Sequence, residues 1–415
     1  MRVLSEALGQ PLDFHQVWPE RAARRRIYLT ADEGLDVPWT HHGLLRLLEG
    51  WPHTMLARRA FIALSGAAVT ASAWQWMDAP TPTTIARTAA AGGRVSAETL
   101  TVIDTIVAAA QQMDDQHGAA SAGFVSDQFS CVSRLLRQAS YDTTAGRRLC
   151  AALAQLAQTA GFMAYENRQD GAAQRWYLTA LHGAHSAGDH ALAASILALM
   201  SNQQADIPGQ TNQALQLSAA AQKAATRAPA AVQALIAARS SLAYAAAGDL
   251  NGFQRTRDRS LQALDHADSH HDPAPRWARY VTRTELDAIT GRGMVTLAQH
   301  LTGRHQQRLL TNATTLLHDR ALTPTSTYQR STLRHLTWLG LAYAHAGDLD
   351  QAGRAARAAA QQAPQITSPR CRHLINDLRD TLAAHAPRTP AIRSVLNDLN
   401  HTVPVAGGNG SSAAY

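Results

Sequence analysis

The chain has 415 residues, of which 46% are hydrophobic and 6% aromatic, and it carries a formal net charge of +7. This length can bury a large core, and the alanine-rich composition favours helices over strands. The positive charge permits contact with nucleic acid or an acidic peptide but requires neither, because charges of both signs are interspersed. The three cysteines, Cys131, Cys150 and Cys371, are widely spaced, which gives no disulfide framework and suits a reducing cytoplasm.

Residues 1–57 are predicted as an N-terminal helical remnant or arm. Residues 2–8 are amphipathic, and a basic stretch follows. Four arginines in that stretch are candidates for contact with phosphate or nucleic acid: Arg21, Arg24, Arg25 and Arg26. A solvated helix face, balanced by nearby acidic residues, is the favoured alternative. No complete helix-turn-helix fits ahead of Pro38-Trp39, because the segment is too short and its spacing is wrong.

Residues 58–95 are predicted as a connecting helix and a linker, and they allow a second interpretation. Arg58-Arg59 and the apolar residues after them resemble a twin-arginine export motif, and 71–73 has the form of a signal-peptidase site. However, the motif lies 57 residues inside the chain, and its apolar stretch is shorter than the roughly 20 residues of a membrane span. A packed connecting helix is therefore favoured over export, and no membrane contact is expected.

Residues 96–402 carry the spacing of repeated helical hairpins. The clearest unit, 339–364, has a Leu-Gly pair, a tyrosine, a Gly-Asp turn and a closing proline, as in the tetratricopeptide pattern. The glycine lets a neighbouring helix approach, and the proline ends a helix because it has no backbone N–H to donate. The tyrosine and turn recur at 244–249 and, without the glycine, at 165–170. Two degenerate units place the same slot at 200–206 and 286–292.

This pattern predicts an all-α fold, a right-handed solenoid of tetratricopeptide-like hairpins behind the short N-terminal remnant. The predicted helices include 96–116, 124–137, 276–290, 294–319, 371–385 and 392–400. Residues 403–415 are rich in small and polar residues and are predicted as a disordered tail.

No motif in the chain supports catalysis, a cofactor or a metal. A phosphate-binding P-loop needs Gly-Lys-Ser/Thr, and Lys223, the only lysine, lies between glutamine and alanine. Residues 184–188 lack the first glycine of a nucleophile elbow. His266 and His270 could share a helix face and bind Zn²⁺, but a solvated helix end is favoured because no His-Glu-x-x-His accompanies them. We therefore expect no enzyme activity.

Binding remains as the function that the pattern favours. When the units are aligned on the tyrosine slot, six polar residues fall on or near the concave face of the array and become candidates for contact with a peptide or partner: Glu166, Asn167, Asn202, Gln203, Glu285 and His345. Carboxamides at such positions can pair with both the N–H and the C=O of an extended peptide. The alternative is that these groups satisfy turns or water.

Several short motifs also follow one another in a recognisable order. They are Asp-Asp-Gln-His-Gly (114–118), Met-Ala-Tyr-Glu (163–166), Ala-Gln-Arg-Trp-Tyr (173–177), Ala-Gly-Asp (187–189) and Met-Ser-Asn-Gln (200–203). Together with Pro38-Trp39 and 58–67, they resemble the sensor region and connector of actinobacterial tetratricopeptide-repeat regulators of the Xre-type helix-turn-helix class. Residues 2–8 are similar only to the last helix of that family's DNA-reading domain, so this chain is expected to lack the helix-turn-helix.

The resemblance implies a cytoplasmic regulatory sensor or adaptor in transcriptional control, which binds a peptide or partner protein in its groove. DNA contact is expected only indirectly, or through a missing N-terminal domain, and a homodimer stays open. Two alternatives remain. The chain could be an interaction scaffold without a ligand, or an exported helical-repeat binding protein.

Overall fold

The computed structural model describes residues 37–56, 64, 66–89, 93–270, 272–323, 329–366, 368–387 and 389–402. Within these ranges the fold is all-α, with sixteen α-helices and four short 3₁₀ helices; extended backbone pairing there is confined to two isolated bridges, Arg87–Tyr141 and Arg94–Ser140. Three predicted features lie outside the described residues: the basic stretch with Arg21, Arg24, Arg25 and Arg26, the pair Arg58-Arg59, and the tail 403–415.

The α-helices are, in chain order, α1 His41–Leu56, α2 Gly66–Asp78, α3 Ala97–His117, α4 Ala122–Gln138, α5 Thr143–Glu166, α6 Asp170–Ala187, α7 His190–Ala205, α8 Thr211–Ala224, α9 Ala230–Ala246, α10 Leu250–His270, α11 Arg283–Ala298, α12 Gly303–Leu322, α13 Gln329–Ala346, α14 Leu349–Gln362, α15 Pro369–Ala383 and α16 Pro390–Thr402. None of the helices in the described part of the chain is long and apolar enough to cross a membrane.

Helices that follow one another pack together in pairs, with α5 on α6, α7 on α8, α9 on α10, α11 on α12 and α13 on α14. Alternate helices also touch, so that α7 packs on α9, α9 on α11 and α13 on α15. The pairs therefore lie side by side and share two large apolar clusters, one centred on α5 to α9 and the other on α13 to α16. The predicted connecting helix is present as α2, which packs against α8 and α6.

Three of the turns between consecutive helices are built the same way, as the Gly-Asp pattern predicts. Gly188, Gly248 and Gly347 have φ angles of 71°, 71° and 86°, in the left-handed region that glycine adopts without a steric cost. The aspartate after each glycine accepts a hydrogen bond from a backbone N–H of the next helix, at 2.9 to 3.1 Å. In the turn without a glycine, Arg168 takes the left-handed conformation instead, with φ of 59°.

Two of the predicted boundaries are wrong. The helix predicted at 276–290 begins at Arg283, because a 3₁₀ turn follows Pro275 and the Thr282 side chain accepts a hydrogen bond from the backbone N–H of Glu285. The helix predicted at 294–319 is broken between Ala298 and Gly303. As a result, 286–292 lies in the middle of α11 and is not a turn. The repeat alignment on the tyrosine position, from which Glu285 was predicted as a binding residue, is therefore wrong for this unit.

The chain enters the described array through a fixed contact. The indole of Trp39 stacks on the imidazole of His182 in α6, with ring centroids 3.8 Å apart and an interplanar angle of 8°. The backbone oxygen of Trp39 also lies 3.0 Å from Nε2 of His185, one turn further along α6. Trp39 thus anchors the start of α1 to the helical array.

The two ends of the array touch each other. Helix α13, near the end of the chain, packs against α3, and α15 packs against α5. Helices near the two ends of the array are therefore in direct contact, and we call this contact the closure of the array.

The turn geometry predicts opposite effects for two glycine substitutions. Nothing lies within 4 Å of a Cβ added at Gly347 or at Gly123, so neither Gly347→Ala nor Gly123→Ala introduces a clash. Gly347→Ala should lower the free energy of unfolding by about 1 kcal/mol because of its positive φ. Gly123→Ala, within α4, should raise it by about 0.5 kcal/mol. Urea denaturation followed by circular dichroism measures both, and changes of the same sign would contradict the proposed role of Gly347.

Candidate functional site

Charged and aromatic residues meet where the ends of the array touch. They come from α3, α5, α11, α13 and α15 and from the residues that cap α7 and α15. We call this set the charged cluster, and it consists of Asp114, Tyr165, Glu166, Asp206, Arg292, Arg330, Arg334, Ser368 and Arg370.

The buried end of the charged cluster is a two-pronged ion pair. The guanidinium of Arg330 donates from Nη1 and Nη2 to the two carboxylate oxygens of Asp114, both at 2.7 Å. The side chains of Arg330 and Asp114 are only 5% and 8% exposed. A parallel pair of charge-assisted hydrogen bonds is the strongest contact that an arginine makes with a carboxylate. It joins α13 to α3 across 216 positions of sequence.

Glu166, the last residue of α5, lies beside this pair and is 1% exposed. Its Oε2 accepts a hydrogen bond of 3.0 Å from the Ser368 hydroxyl, and its Oε1 lies 3.4 Å from Nη2 of Arg334. Burial alone would raise the pKa of Glu166, but the guanidinium groups of Arg334, Arg330 and Arg370 outweigh it, so the pKa lies below its ordinary value. Glu166 is therefore ionised and is held between α13 and α15.

The more exposed end of the charged cluster is formed by Asp206, Tyr165 and Arg370. The carboxylate of Asp206, the cap of α7, accepts hydrogen bonds from the Tyr165 hydroxyl and from Arg370. The Arg370 guanidinium also lies 3.7 Å from the centre of the Tyr165 ring, within cation–π range. The side chains of Arg370 and Asp206 are 23% and 36% exposed, so solvent reaches this end.

Arg292 on α11 lies between the two ends. It forms a side-chain hydrogen bond with Tyr165, and its guanidinium is 5.9 Å from the ring centre of Trp338. Burial lowers the pKa of Arg292, and the positive charge of Arg334 lowers it further, although Tyr165 and Glu166 oppose this. Burial is thus the main reason for the lowered pKa of Arg292.

The helix ends make this arrangement locally unfavourable. Asp114, Glu166 and Asp206 lie at the C-terminal ends of α3, α5 and α7, where the helix dipole repels negative charge. Arg330 and Arg370 lie in the first turns of α13 and α15, where it repels positive charge. Each reversed placement costs about 0.3–1 kcal/mol in an isolated helix. The ion pairs between distant helices must outweigh this cost. These pairs, and not the stability of the individual helices, therefore explain why charged residues lie at these helix ends.

Several buried polar atoms around the charged cluster lack a hydrogen-bond partner within the described part of the chain. They are Oε1 of Glu166, Nε of Arg330, Nε of Arg334, the hydroxyl of Tyr177, Oδ1 of Asn202 and Nδ1 of His335. A buried polar group without a partner costs about 1–3 kcal/mol, so an external hydrogen-bonding partner that reached these six atoms would be bound favourably.

The structure brings some of the six predicted binding residues together. Glu166 belongs to the charged cluster, and Asn202 is buried one helical turn before Asp206, on the same face of α7. Gln203 is also buried, but it donates to the backbone oxygen of Asp170, at 2.9 Å, and so supports a turn. Glu285 lies 3.2 Å from Nε of Arg320, on the α11–α12 pair.

The other two predicted residues do not belong to the charged cluster. Asn167 caps the C-terminus of α5 and is half-buried. His345 is exposed and lies eleven residues beyond Arg334 on α13, a distance of about 16 Å along the helix axis. The repeat pattern does not indicate Asp114 or the arginines of the charged cluster. For Asp114, Arg330 and Arg370 the available signal was a charge placed against the helix dipole.

Two of the three thiols, Cys150 and Cys371, are buried, whereas Cys131 is exposed. Burial raises the pKa of both Cys150 and Cys371, so each thiol keeps its proton at neutral pH. His266 and His270 stack on each other with ring centroids 4.0 Å apart on an exposed helix end. Among the described residues, no group of three or more histidine, cysteine or acidic side chains is placed to hold a metal ion.

The ion pair of Arg330 predicts a large stability effect. Arg330→Gln leaves Asp114 buried without its cation and should lower the free energy of unfolding by about 3–5 kcal/mol. The double variant Asp114→Asn/Arg330→Gln should lose less than Arg330→Gln alone. Arg257→Gln, which breaks an exposed pair with Asp258, should lose about 0.5 kcal/mol or less. Urea denaturation of the four proteins tests this, and equal losses for Arg330→Gln and Arg257→Gln would contradict it.

Asp115, next to the ion pair, predicts a pH effect. Burial raises the pKa of Asp115 from 3.8 to about 7, and the charge of Asp114 adds to this, against Arg330 and Arg320. The folded chain therefore holds this proton more tightly than the unfolded chain. The resulting stability is full below about pH 4 and is lost as pH rises through about 7.

Asp115→Asn should accordingly stabilise the chain more at about pH 8 than at about pH 5, by about 1–2 kcal/mol. Urea denaturation at the two pH values gives this difference, and other titrating groups cancel when the variant is compared with the parent at each pH. Asp127→Asn, at an exposed position on α4, is the matched control and should show no such pH dependence. If Asp115→Asn changed the free energy of unfolding by the same amount at both pH values, the pKa of Asp115 would not be raised in the folded chain.

No family model, curated protein or solved structure matches this chain. Its function is therefore inferred from the contacts among its own residues.

Proposed function

We propose that the chain is a cytoplasmic regulatory sensor or adaptor, whose array of tetratricopeptide-like hairpins binds a peptide or partner protein at the charged cluster. The observation that carries this proposal is the convergence of ionised and unpartnered polar groups on one place between α5, α7, α13 and α15. Apolar side chains there would give a more stable closure of the array, because burying charge is costly even when the charges are paired.

A peptide suits these groups chemically. Its backbone offers N–H donors and C=O acceptors in alternation. Oε1 of Glu166 and Oδ1 of Asn202 can accept from such donors, and Nε of Arg334 can donate to such an acceptor. Because these three atoms belong to α5, α7 and α13, a bound peptide would contact three separate hairpins. The relative positions of the three hairpins would then depend on whether the ligand is bound.

Two further points support the finer parts of the proposal. The repeated Gly-Asp turns and the contacts between alternate helices are those of a solenoid of hairpins, which we take to be right-handed and tetratricopeptide-like. The resemblance to Xre-type regulators of actinobacteria supports a role in transcriptional control, with DNA contacted only through another domain or protein. We propose no catalytic activity for the chain.

The contact between the two ends of the array favours a second candidate. Because Arg330 and Ser368 already occupy the carboxylates of Asp114 and Glu166, the closed array could be a rigid scaffold that holds other proteins on its outer surface without a ligand. The two candidates differ in one measurable respect, since only the sensor gains stability from a peptide.

A thermal shift assay on the full chain, with synthetic hexapeptide pools sorted by net charge, tests the sensor. At least one pool should raise the melting temperature, because a ligand at 100 times its Kd adds about 2.7 kcal/mol to the stability of the folded state. Asn202→Leu should abolish most of this shift without lowering the stability of the free chain, since it removes an unpartnered carbonyl.

Gln361→Leu, at an exposed position on α14, is the matched control and should leave the shift unchanged. A melting temperature that no pool changes would exclude the sensor and leave the scaffold.

A further inference from the structure

We propose that the ligand is an acidic peptide, whose carboxylates bind Arg292, Arg334 and Arg370 and displace the chain's own Glu166 and Asp206 from them, which loosens the contacts of α15 with α5 and α7. This inference rests on the proposed function and adds to it the ligand class and the way in which binding is transmitted. In the structure described here, Glu166 and Asp206 occupy the places that the ligand carboxylates would take.

The arginines have the geometry to accept carboxylates from outside. A guanidinium carries five N–H donors in a planar fork that matches the two oxygens of a carboxylate. Arg334 uses Nη2 towards Glu166 at 3.4 Å, while its Nε has no hydrogen-bond partner. Arg370 uses Nη2 towards Asp206. Both arginines therefore have donors left for a second carboxylate.

The balance of charge also favours an anion. The charged cluster holds four arginines, Arg292, Arg330, Arg334 and Arg370, against three carboxylates, those of Asp114, Glu166 and Asp206. Since Asp114 is fully engaged by Arg330, only Glu166 and Asp206 remain for the other three arginines. Three arginines facing two carboxylates leave an excess of one positive charge. An added carboxylate would correct it.

A route to these arginines exists at the exposed end of the charged cluster. Arg370 and Asp206 are partly exposed, and the Arg370 guanidinium lies on the Tyr165 ring, whose hydroxyl also contacts Asp206. Because the Arg370–Asp206 pair is the more exposed of the two contacts, a ligand carboxylate would reach Arg370 before Arg334. There it would compete with Asp206. Arg334, with a side chain that is 16% exposed, lies further in, beside Glu166.

Displacement would loosen the closure of the array. The Asp206–Arg370 pair joins α7 to α15 across 164 positions of sequence, and the Glu166–Ser368 hydrogen bond joins α5 to the start of α15 across 202 positions. When a ligand takes over Arg370 and Arg334, Asp206 loses its partner on α15 and Glu166 loses its nearest guanidinium on α13, so that the Ser368 hydrogen bond alone holds Glu166 to α15. Binding at the charged cluster is then converted into a change in how the two ends of the array contact each other.

Fluorescence anisotropy on the full chain tests the ligand class, with fluorescein-labelled hexaglutamate, hexaglutamine and hexalysine as probes. Hexaglutamate should bind at least about tenfold more tightly than either of the others, because it alone gains charge-assisted hydrogen bonds. Its affinity should fall as salt rises from about 0.05 to about 0.5 M, since screening reaches partly exposed charges.

Two variants separate a binding role from a structural one. Arg370→Gln should weaken hexaglutamate binding about tenfold, because it removes an arginine that binds the ligand. Asp206→Asn should strengthen hexaglutamate binding several-fold, because it removes the internal competitor, whereas a purely structural Asp206 would give no gain. Arg257→Gln and Asp258→Asn, at the exposed pair on α10, are the matched controls and should change neither value.

Each result decides a different point. Hexaglutamine binding as tightly as hexaglutamate, with no effect of Arg370→Gln, would overturn the acidic ligand and leave a peptide sensor intact. Failure of all three peptides here, together with all pools in the thermal shift assay, would overturn both proposals. Tighter binding of a single-stranded oligonucleotide than of hexaglutamate at equal salt would overturn the peptide assignment. Weaker binding to Asp206→Asn would overturn the displacement.

Discussion

The closed form of the array depends on one buried ion pair. Arg330 and Asp114 hold α13 against α3, and Glu166 adds Arg334 and Ser368 to the same contact. Two charges removed from water attract each other strongly, but this attraction only roughly repays the cost of their desolvation. The contact is therefore specific without adding much net stability. Such a contact can hold a structure closed and still be exchanged for an equivalent one with a ligand.

The local parts of the fold could be predicted from the sequence because short-range chemistry determines them. Gly347 and Asp348 form a turn through a left-handed backbone and a side-chain cap, and both signals lie within two residues. Gly340 works in the same way at slightly longer range. A Cβ on it would lie 2.7 Å from a methyl group of Leu378, so the glycine permits α15 to approach α13 closely. The predicted start of the helix near Thr282 was wrong. The Thr282 cap and the 3₁₀ turn before it set the boundary, although the apolar periodicity begins earlier in the sequence.

The charged cluster could not be predicted in the same way. No local pattern connects residue 114 with 330 or 206 with 370, and aligning repeats on one tyrosine position carries no information about contacts between the two ends. Glu166 was predicted as a binding residue because it follows Tyr165. It lies at the end of α5, which packs against α3, α7 and α15. Arg330 and Arg370 lie in the first turns of α13 and α15, far from the tyrosine position on which the repeats were aligned.

The large separation of these partners in sequence has a consequence for synthesis on the ribosome. At about 5–20 residues per second, Asp114 is made roughly 10–40 s before Arg330. During that interval the hairpins from α3 to α12 can assemble while the carboxylates of Asp114 and Glu166 are still hydrated. The nascent chain therefore never has to bury either carboxylate ahead of its arginine, and the desolvation of all these groups is deferred to a single late step.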